Sequence, residues 1–256
     1  MDRPSSPNVG MARARFFYMN VFSRAGRFLK SLPRLRFHHP FAVRLDWGQG
    51  NSIAAKGRLT ATIRLYGSQN YVELPKTSSF TGHITIYGQG NRIVIGENCR
   101  LYGEFMVKGH NQTVTVGEGT TFESVYLLCM ERCDISIGRW CMFSRNIEVR
   151  TSDAHGLIRK RDGRRLNRAA SVTVGDHVWV GVGSILNKGT VIPADCIVGA
   201  KSFVNKAFTE SSVVLAGTPA TIVKRGVTWN RWRKRRYSQQ ELDAWRIPDQ
   251  DISDED

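Results

Sequence analysis

Residues 174–204 read VGDHVWVGVGSILNKGTVIPADCIVGAKSFV, and within this stretch an aliphatic residue returns at every sixth position. The recurring residues are Val174, Val180, Leu186, Ile192, Val198 and Val204. An α-helix has 3.6 residues per turn and cannot keep a six-residue period on one face. A short strand followed by a turn can keep it, with one large residue of each unit pointing inward. Three such units form a triangular coil, and stacked coils pair as parallel strands around a continuous apolar column.

The preceding part of the chain carries a longer form of this repeat, with a period of 21 residues. Three apolar sets share that spacing: Ile53, Leu74, Ile95, Val116 and Ile137; Leu59, Phe80, Leu101, Phe122 and Phe143; and Leu65, Ile86, Val107, Leu128 and Val149. The segments 67–70 and 88–91 recur before the first set and are rich in Gly and Asn, which suit corners because they tolerate left-handed backbone angles. The repeat therefore predicts an all-β protein with a parallel β-helix over residues 50–208.

Charge is concentrated outside most of the repeat. The formal net charge is +15, with 9 basic and 2 acidic residues in 1–50, 7 basic and 2 acidic in 150–168, and 7 basic and no acidic in 224–236. Such patches favour anionic partners: phosphates, acidic glycans, nucleic acid or an anionic membrane surface. No nucleic-acid-binding fold accompanies them, so nucleic acid is the least favoured partner.

Composition excludes other classes of protein. No apolar stretch reaches the roughly 18 residues of a membrane-spanning helix, and the N-terminus lacks the clean apolar segment of a signal peptide. We therefore expect a cytoplasmic protein. The five cysteines fit no disulfide framework, and Cys129 and Cys133 lack a second Cys or His pair at zinc spacing, so no metal site is expected.

The two ends form separate segments. Residues 1–49 are a basic segment with apolar residues near helical spacing, and they are predicted either to cap the open end of the solenoid or to lie on a membrane surface. Residues 209–256 contain Trp229, the basic run 231–236 and a capping-box pattern at 238–241 that predicts a short helix, followed by an acidic tail. The basic run suits a phosphate group, another polyanion or a membrane.

The repeat is interrupted once. Val174 follows Val149 by 25 positions, where the earlier coils have a step of nine, so a loop at about 150–171 is predicted. A solenoid tolerates an insertion that projects outward, and projecting loops often carry functional residues. This loop contains Asp153, His155 and Asn167.

The repeating pattern of Leu, Ile or Val, then Gly, two variable residues and a small residue resembles the hexapeptide-repeat acyltransferases. The resemblance implies a left-handed β-helix, an exception to the right-handed crossover rule. His155 precedes Trp179, in the segment 178–181, by 24 residues, as in the galactoside, xenobiotic and polysaccharide O-acetyltransferases, and the bacterial capsule enzymes are the most similar branch. The resemblance also implies a homotrimer with a donor groove between subunits.

His155 is the predicted catalytic base, because a neutral imidazole can take the proton of a sugar hydroxyl as that hydroxyl attacks a thioester. A plain turn residue is the alternative. Asp153 either orients the imidazole or caps a turn. Trp179 is expected to face outward, covered by a sugar ring or by a neighbouring subunit. Asn167 either binds an acceptor hydroxyl or ends the loop.

The acyl donor site is implied by the segment 199–206, which resembles the family pattern Gly-Ala-x-Ser-x-Val-x-Lys. The residues implied to line an acetyl-CoA groove are Gly181, Val182, Ala200, Asn205 and Lys206. Lys206 would approach the CoA phosphates, whereas Asn205 departs from the residues usual in the family.

These features predict O-acetyl transfer from acetyl-CoA to a hydroxyl of a bacterial surface polysaccharide, such as capsule or O-antigen. An antibiotic or small-sugar acetyltransferase is the first alternative, and a non-enzymatic polyanion-binding solenoid is the second. A zinc hydratase is disfavoured, because His83 and His110 are 27 residues apart and out of phase with the coils.

Overall fold

The computed structural model describes residues 36–39 and 42–246. The strands are β1 Arg36–His39, β2 Ala42–Asp46, β3 Ser52–Ala55, β4 Arg58–Tyr66, β5 Tyr71–Leu74, β6 Ser79–Gln89, β7 Arg92–Ile95, β8 Arg100–His110, β9 Thr113–Val116, β10 Thr121–Met130, β11 Ile135–Ile137, β12 Met142–Phe143, β13 Ile147–Arg150, β14 Val172–Val174, β15 Trp179–Val180, β16 Ile185–Leu186, β17 Val191–Ile192, β18 Ile197–Val198, β19 Phe203–Val204, β20 Val213–Gly217 and β21 Ala220–Arg225. One short α-helix, α1 Gln239–Asp243, is followed by a 3₁₀ turn at Ala244–Arg246. The predicted N-terminal helix and the acidic tail lie outside the described residues.

The strands form three faces of a solenoid. Face A contains β12, β15, β18 and β20, face B contains β13, β16 and β19, and face C contains β3, β5, β7, β9, β11, β14 and β17. The longer strands β4, β6, β8 and β10 span faces A and B, since β10 pairs with both β12 and β13. Pairing between turns is parallel, and the predicted parallel β-helix is confirmed, with about eight turns.

The corners are named by the faces that they join. Residues with positive φ turn the chain there, among them His177 and Asp195 at corner CA, and Asn146 and Lys201 at corner AB. Corner BC lies between the end of β13 and the start of β14, where the inserted loop leaves the solenoid. The parallel pairing extends from β2 to β20. The division of the chain into an N-terminal segment 1–49, a β-helix 50–208 and a C-terminal segment 209–256 stays a prediction.

The predicted central column has the register that the repeat requires. Leu59, Phe80, Leu101, Phe122 and Phe143 are paired in succession, and the column continues through Val180, Val198 and Leu215. Phe122 and Phe143 pack with ring centroids 4.8 Å apart. All eight side chains are buried, and this apolar column is the main source of stability.

Three residues of the predicted columns lie elsewhere: Ile53, Leu128 and Val149, the last of which pairs with Leu127 in the column of Phe105. Ile53 pairs with Val72 rather than lying in register with Leu74, because the first coil is two residues shorter there. Leu128 pairs with Met106, because a bulge between Phe122 and Val125 adds one residue to β10. A one-residue shift turns each side chain to the opposite face, so Cys129 takes the inward position beside Val107.

Polar side chains inside the solenoid form a ladder at the corner before face C. Asn91 Nδ2 donates to Asn70 Oδ1 at 3.0 Å and to the Gly109 carbonyl at 2.9 Å, while Asn91 Oδ1 accepts from the Gln112 N–H at 3.1 Å. Asn70 and Asn91 are fully buried. Each amide therefore satisfies a carbonyl and an N–H of the following turn, which parallel strands alone would leave unpaired at a corner, and binds the amide of the preceding turn.

Replacing Asn91 with Ala should lower the free energy of unfolding by about 2–5 kcal/mol, because it leaves buried donors and acceptors of two neighbouring turns unpaired. Gln89→Ala is the control, since the Gln89 side chain is exposed on the same turn, and it should change stability by less than about 0.5 kcal/mol. Equilibrium urea unfolding measures both values. Equal stability of the two variants would contradict a structural role for the ladder.

Candidate active site

The inserted loop is a short hairpin that projects from corner BC. Strand β13 ends at Arg150 and β14 begins at Val172, and the loop occupies the residues between them. Ile158 and Arg165 form an antiparallel bridge, and the Leu166 N–H donates to the Leu157 carbonyl at 2.8 Å. The hairpin holds the residues between its base and its bridge in a defined conformation.

His155 lies at the exposed base of this hairpin. The preceding residue, Ala154, has a φ of +62°, and its N–H donates to Ser152 Oγ at 3.0 Å. The His155 carbonyl accepts a hydrogen bond from Asn167 Nδ2 at 2.8 Å. Within the described residues, no side chain or backbone group hydrogen-bonds to the imidazole, and the residue is exposed.

The amide of Asn167 connects the two strands of the hairpin base. Its Nδ2 donates to Asp153 Oδ2 at 2.7 Å as well as to the His155 carbonyl, and its Oδ1 accepts from the Leu157 N–H at 2.7 Å and from Arg165 Nε at 3.3 Å. A primary amide has two donor hydrogens and two acceptor lone pairs. All of them are used within the loop.

Asp153 links the loop to the next turn of the solenoid. Its Oδ2 accepts from Lys188 Nζ in a direct ion pair as well as from Asn167. Partial burial alone would raise the pKa of this carboxyl, but the hydrogen bonds from Lys188 and Asn167 outweigh it and lower the pKa. Asp153 is therefore held ionised, and its described partners are Lys188 and Asn167 rather than the imidazole.

Glu131 links the same loop to the preceding turn. Its carboxylate accepts two hydrogen bonds from the Arg165 guanidinium, at 2.6 and 2.9 Å, and a third from Ser152 Oγ. The Arg165 and Ser152 hydrogen bonds lower the pKa of Glu131. Bidentate pairing of this kind fixes orientation as well as distance.

Corner BC also carries the lysine predicted to meet the donor. Register places Lys188 after β16 and Lys206 after β19, one turn apart on the same corner. The Lys206 ammonium lies 5.2 Å from the Phe208 ring centroid, and both Asn205 and Lys206 are exposed. Lys188 and Lys206 therefore form a row of two cationic side chains on the turns that follow the loop.

The remaining donor residues lie on corner AB. Gly181 and Ala200 stack on successive turns, and a Cβ on Gly181 would lie only 2.7 Å from the Ala200 nitrogen. Gly181 is thus required for close approach of the two turns. Val182 is half-buried, its carbonyl accepts from the Lys201 N–H at 2.8 Å, and Ala200 is exposed beside it.

Trp179 lies on face A and points outward, as predicted, with 38% of its surface exposed. Its ring contacts Trp229, 6.2 Å away between centroids, and Trp229 stacks at 4.4 Å on His177, whose other neighbour in the stack is Trp245 at 4.3 Å. Trp229 Nε1 also donates to the His177 carbonyl. The C-terminal segment therefore docks on corner CA and supplies one edge of the Trp179 surface.

The three parts of the predicted site lie on different surfaces of the chain. Asp153, His155 and Asn167 form one hydrogen-bonded unit, whereas Trp179 and the Gly181 corner belong to face A and corner AB. In the described part of the chain, no contact joins Trp179 to the loop. No group of three His, Cys, Asp or Glu side chains suited to a metal ion occurs within residues 36–39 and 42–246.

Comparison with curated proteins finds relatives that match part of the chain. No family model matches the chain. The polysialic acid O-acetyltransferase of Escherichia coli O1:K1 / APEC is 30% identical over 115 residues, which make up 45% of this chain and 37% of that protein. The Neisseria meningitidis polysialic acid O-acetyltransferase is 30% identical over 112 residues, or 44% and 52%. The chain thus matches about half or less of the length of these relatives.

Solved structures give longer matches. The crystal structure of the polySia specific acetyltransferase NeuO superimposes with a TM-score of 0.72 and 25% identity, over 77% of this chain and 92% of that one. The polysialic acid O-acetyltransferase OatWY gives 0.70 and 26%, over 77% and 94%. The chain is similar to these O-acetyltransferases in sequence over part of its length and in fold over 77% of it. The resemblance stated from the repeat is confirmed.

Sequence analysis missed three residues of the loop unit: Lys188, Glu131 and Arg165. Lys188 lies 37 positions after Thr151, which is the register of the turns on either side of the insertion. That register was available from the repeat and would have placed Lys188 beside the loop. The Glu131–Arg165 pair had no such signal, because Arg165 is one of several arginines in the hairpin.

Acid should release the loop from the solenoid. Because the pKa values of Glu131 and Asp153 are lowered, the anchored loop binds these protons more weakly than a detached loop does. The anchoring is complete above the ordinary values of 4.5 and 3.8 and is lost as pH falls through the lowered values. We expect amide hydrogen exchange of residues 151–171, corrected for intrinsic rate, to accelerate below about pH 4.

The matched variant is Glu131→Gln. The loop amides of this variant should exchange hydrogen faster than wild type at pH 7, and their exchange should accelerate less on acidification. Circular dichroism separates loop release from unfolding of the solenoid. Constant protection of the loop from pH 7 to about pH 3 would show that the carboxylates do not anchor it.

Proposed function

We propose that the chain is an acetyl-CoA-dependent O-acetyltransferase that acetylates a hydroxyl of a bacterial surface polysaccharide, with an anionic glycan as the favoured acceptor. The observation that carries the proposal is His155, whose imidazole is exposed on an anchored loop while its backbone is fixed by Asn167. The relatives named polysialic acid O-acetyltransferases support the polysaccharide over an antibiotic or a small sugar.

The chemistry needs one proton acceptor. His155 in its neutral form takes the proton of the acceptor hydroxyl as the hydroxyl oxygen attacks the thioester carbonyl. The tetrahedral intermediate places negative charge on the former carbonyl oxygen, and backbone N–H groups near Gly181, Val182 and Ala200 are the proposed donors to it. Collapse of the tetrahedral intermediate breaks the carbon–sulfur bond, and His155 gives its proton to the CoA thiolate that leaves. Transfer is direct, with no covalent intermediate on the protein.

A homotrimer explains the separation of the site within one chain. His155 lies on corner BC, whereas Trp179 and Gly181 lie on face A and corner AB, so a groove between neighbouring subunits brings the two sets together. The exposed apolar side chains of Leu157, Ile158 and Leu166 on the loop support a subunit contact. Light scattering tests this assembly, and a monomer under conditions of turnover would contradict it.

The basic surfaces fit the same proposal. Lys206 is assigned to the CoA phosphates together with the neighbouring Asn205, and Trp179 to the acceptor sugar ring. None of the described helices is long and apolar enough to cross a membrane. A cytoplasmic location, with peripheral membrane contact through the basic N-terminal segment, is part of the proposal, and cell fractionation tests it.

Replacing His155 with Ala should lower kcat by about 10²- to 10⁴-fold, because the general base is lost. The KM for acetyl-CoA should change little, since the thioester does not bind through the imidazole. Release of CoA thiol with deacetylated acidic polysaccharide measures both. Turnover of His155→Ala within about threefold of wild type would overturn the role of this residue.

Calorimetric titration with acetyl-CoA tests the donor site without an acceptor. The proposal requires saturable binding near one per chain. Lys206→Met should weaken acetyl-CoA about 10-fold, as expected when a charge-assisted contact to phosphate is lost, and should weaken acetyl-dephospho-CoA much less if the contact is to the 3′-phosphate. No binding of acetyl-CoA at millimolar concentration would instead favour a non-enzymatic polyanion-binding solenoid.

A further inference from the structure

The loop that carries His155 is tied to the solenoid from both sides. Glu131, on the turn before the loop, binds Arg165 and Ser152. Lys188, on the turn after it, binds Asp153. Both attachments reach residues near His155: Ser152 accepts from the Ala154 N–H, and Asp153 leads through Asn167 to the His155 carbonyl itself.

We propose that Lys188 is a positioning residue for the reaction and holds His155 in place through Asp153 and Asn167. This inference rests on the proposed function, in which His155 is the general base. The path consists of three direct contacts: Lys188 Nζ to Asp153 Oδ2, Asn167 Nδ2 to the same oxygen at 2.7 Å, and Asn167 Nδ2 to the His155 carbonyl at 2.8 Å.

Asn167 makes this path specific. Its Oδ1 also accepts from the Leu157 N–H, so one amide fixes the backbone on both sides of Gly156. Since all four hydrogen-bonding positions of the amide are used inside the loop, Asn167 acts on the backbone of His155 rather than on the acceptor. The imidazole stays free to exchange a proton with substrate.

Lys188 supplies the fixed end of the path. It follows β16, whose register with β13 and β19 is set by parallel pairing on both sides. The loop residues lack such pairing, so their position depends on side-chain contacts. The half-buried ion pair between Lys188 and Asp153 therefore fixes the loop relative to this turn of the solenoid.

Loss of this contact should affect catalysis much more than folding. The Lys188–Asp153 pair is partly exposed, and pairs of that kind add little to stability, while the buried columns hold the turns together. A catalytic group displaced by about 1 Å can cost about 10²-fold in rate. A structural role and a positioning role therefore predict different results.

In Lys188→Met, kcat should fall about 10- to 100-fold while the KM for acetyl-CoA and the thermal midpoint stay close to wild type. Lys188→Arg keeps the cation and should restore kcat to within about threefold. The control is Lys108→Met: Lys108 lies near the end of β8, three turns before Lys188, contacts the Tyr87 ring and should leave kcat unchanged. A rise in the KM for acetyl-CoA with unchanged kcat would show that Lys188 binds the donor instead, and would overturn the proposal.

A double-mutant cycle tests the path. Asp153→Asn and Lys188→Met should not be additive, because each breaks the same connection, whereas additive effects would contradict action through Asp153. The ring signals of labelled histidine in NMR, six in this chain, give a readout that needs no turnover. The signal lost in His155→Ala should shift in Lys188→Met and not in Lys108→Met.

The two proposals fail in different ways. Full activity of His155→Ala would overturn the assignment of His155 as the general base. The NMR comparison would still report whether Lys188 positions the loop. Low activity of His155→Ala with wild-type kcat in Lys188→Met would keep the general base and overturn the positioning role.

Discussion

The parallel register between successive turns is the constraint on which the rest of the structure depends. It stacks one inward side chain of each turn on the next, so that the column from Leu59 to Leu215 is continuous and buried. The same register brings polar residues together at the corners, where the amides of Asn70 and Asn91 satisfy backbone groups of neighbouring turns. Close approach of turns also explains the need for Gly181, where a side chain would strike the next coil.

Register makes the fold predictable from sequence, and local insertions limit that predictability. The spacing of Phe80, Phe122 and Phe143 identifies the parallel coils because a period is a global property that many residues share. Leu128 was placed wrongly because the bulge in β10 has no sequence signature of its own, and one extra residue reverses every later side chain of that strand. The two-residue shortening before Leu59 displaced Ile53 for the same reason.

The candidate site was predictable only in part. The loop and His155 follow from a break in the repeat and a family resemblance, both visible in sequence. The ion pair of Asp153 is not, because the repeat places Lys188 beside the loop but does not decide which acceptor its ammonium binds. Docking of Trp229 on His177 likewise joins residues 52 positions apart, although the capping box of Ser238 and Glu241 in the same segment was foreseen and is present.

The insertion leaves the solenoid and returns to it at nearly the same point. The Thr151 N–H donates to the Leu128 carbonyl and the Ala170 N–H donates to the Thr151 carbonyl, each at 3.0 Å, while β13 and β16 pair as if the loop were absent. The ends of the loop are therefore closed by the scaffold itself, so changes in its length or composition place little strain on the strands. Such an architecture separates what evolution must preserve from what it can vary: acceptor preference can diverge rapidly in the hairpin while the coils that hold it remain unchanged.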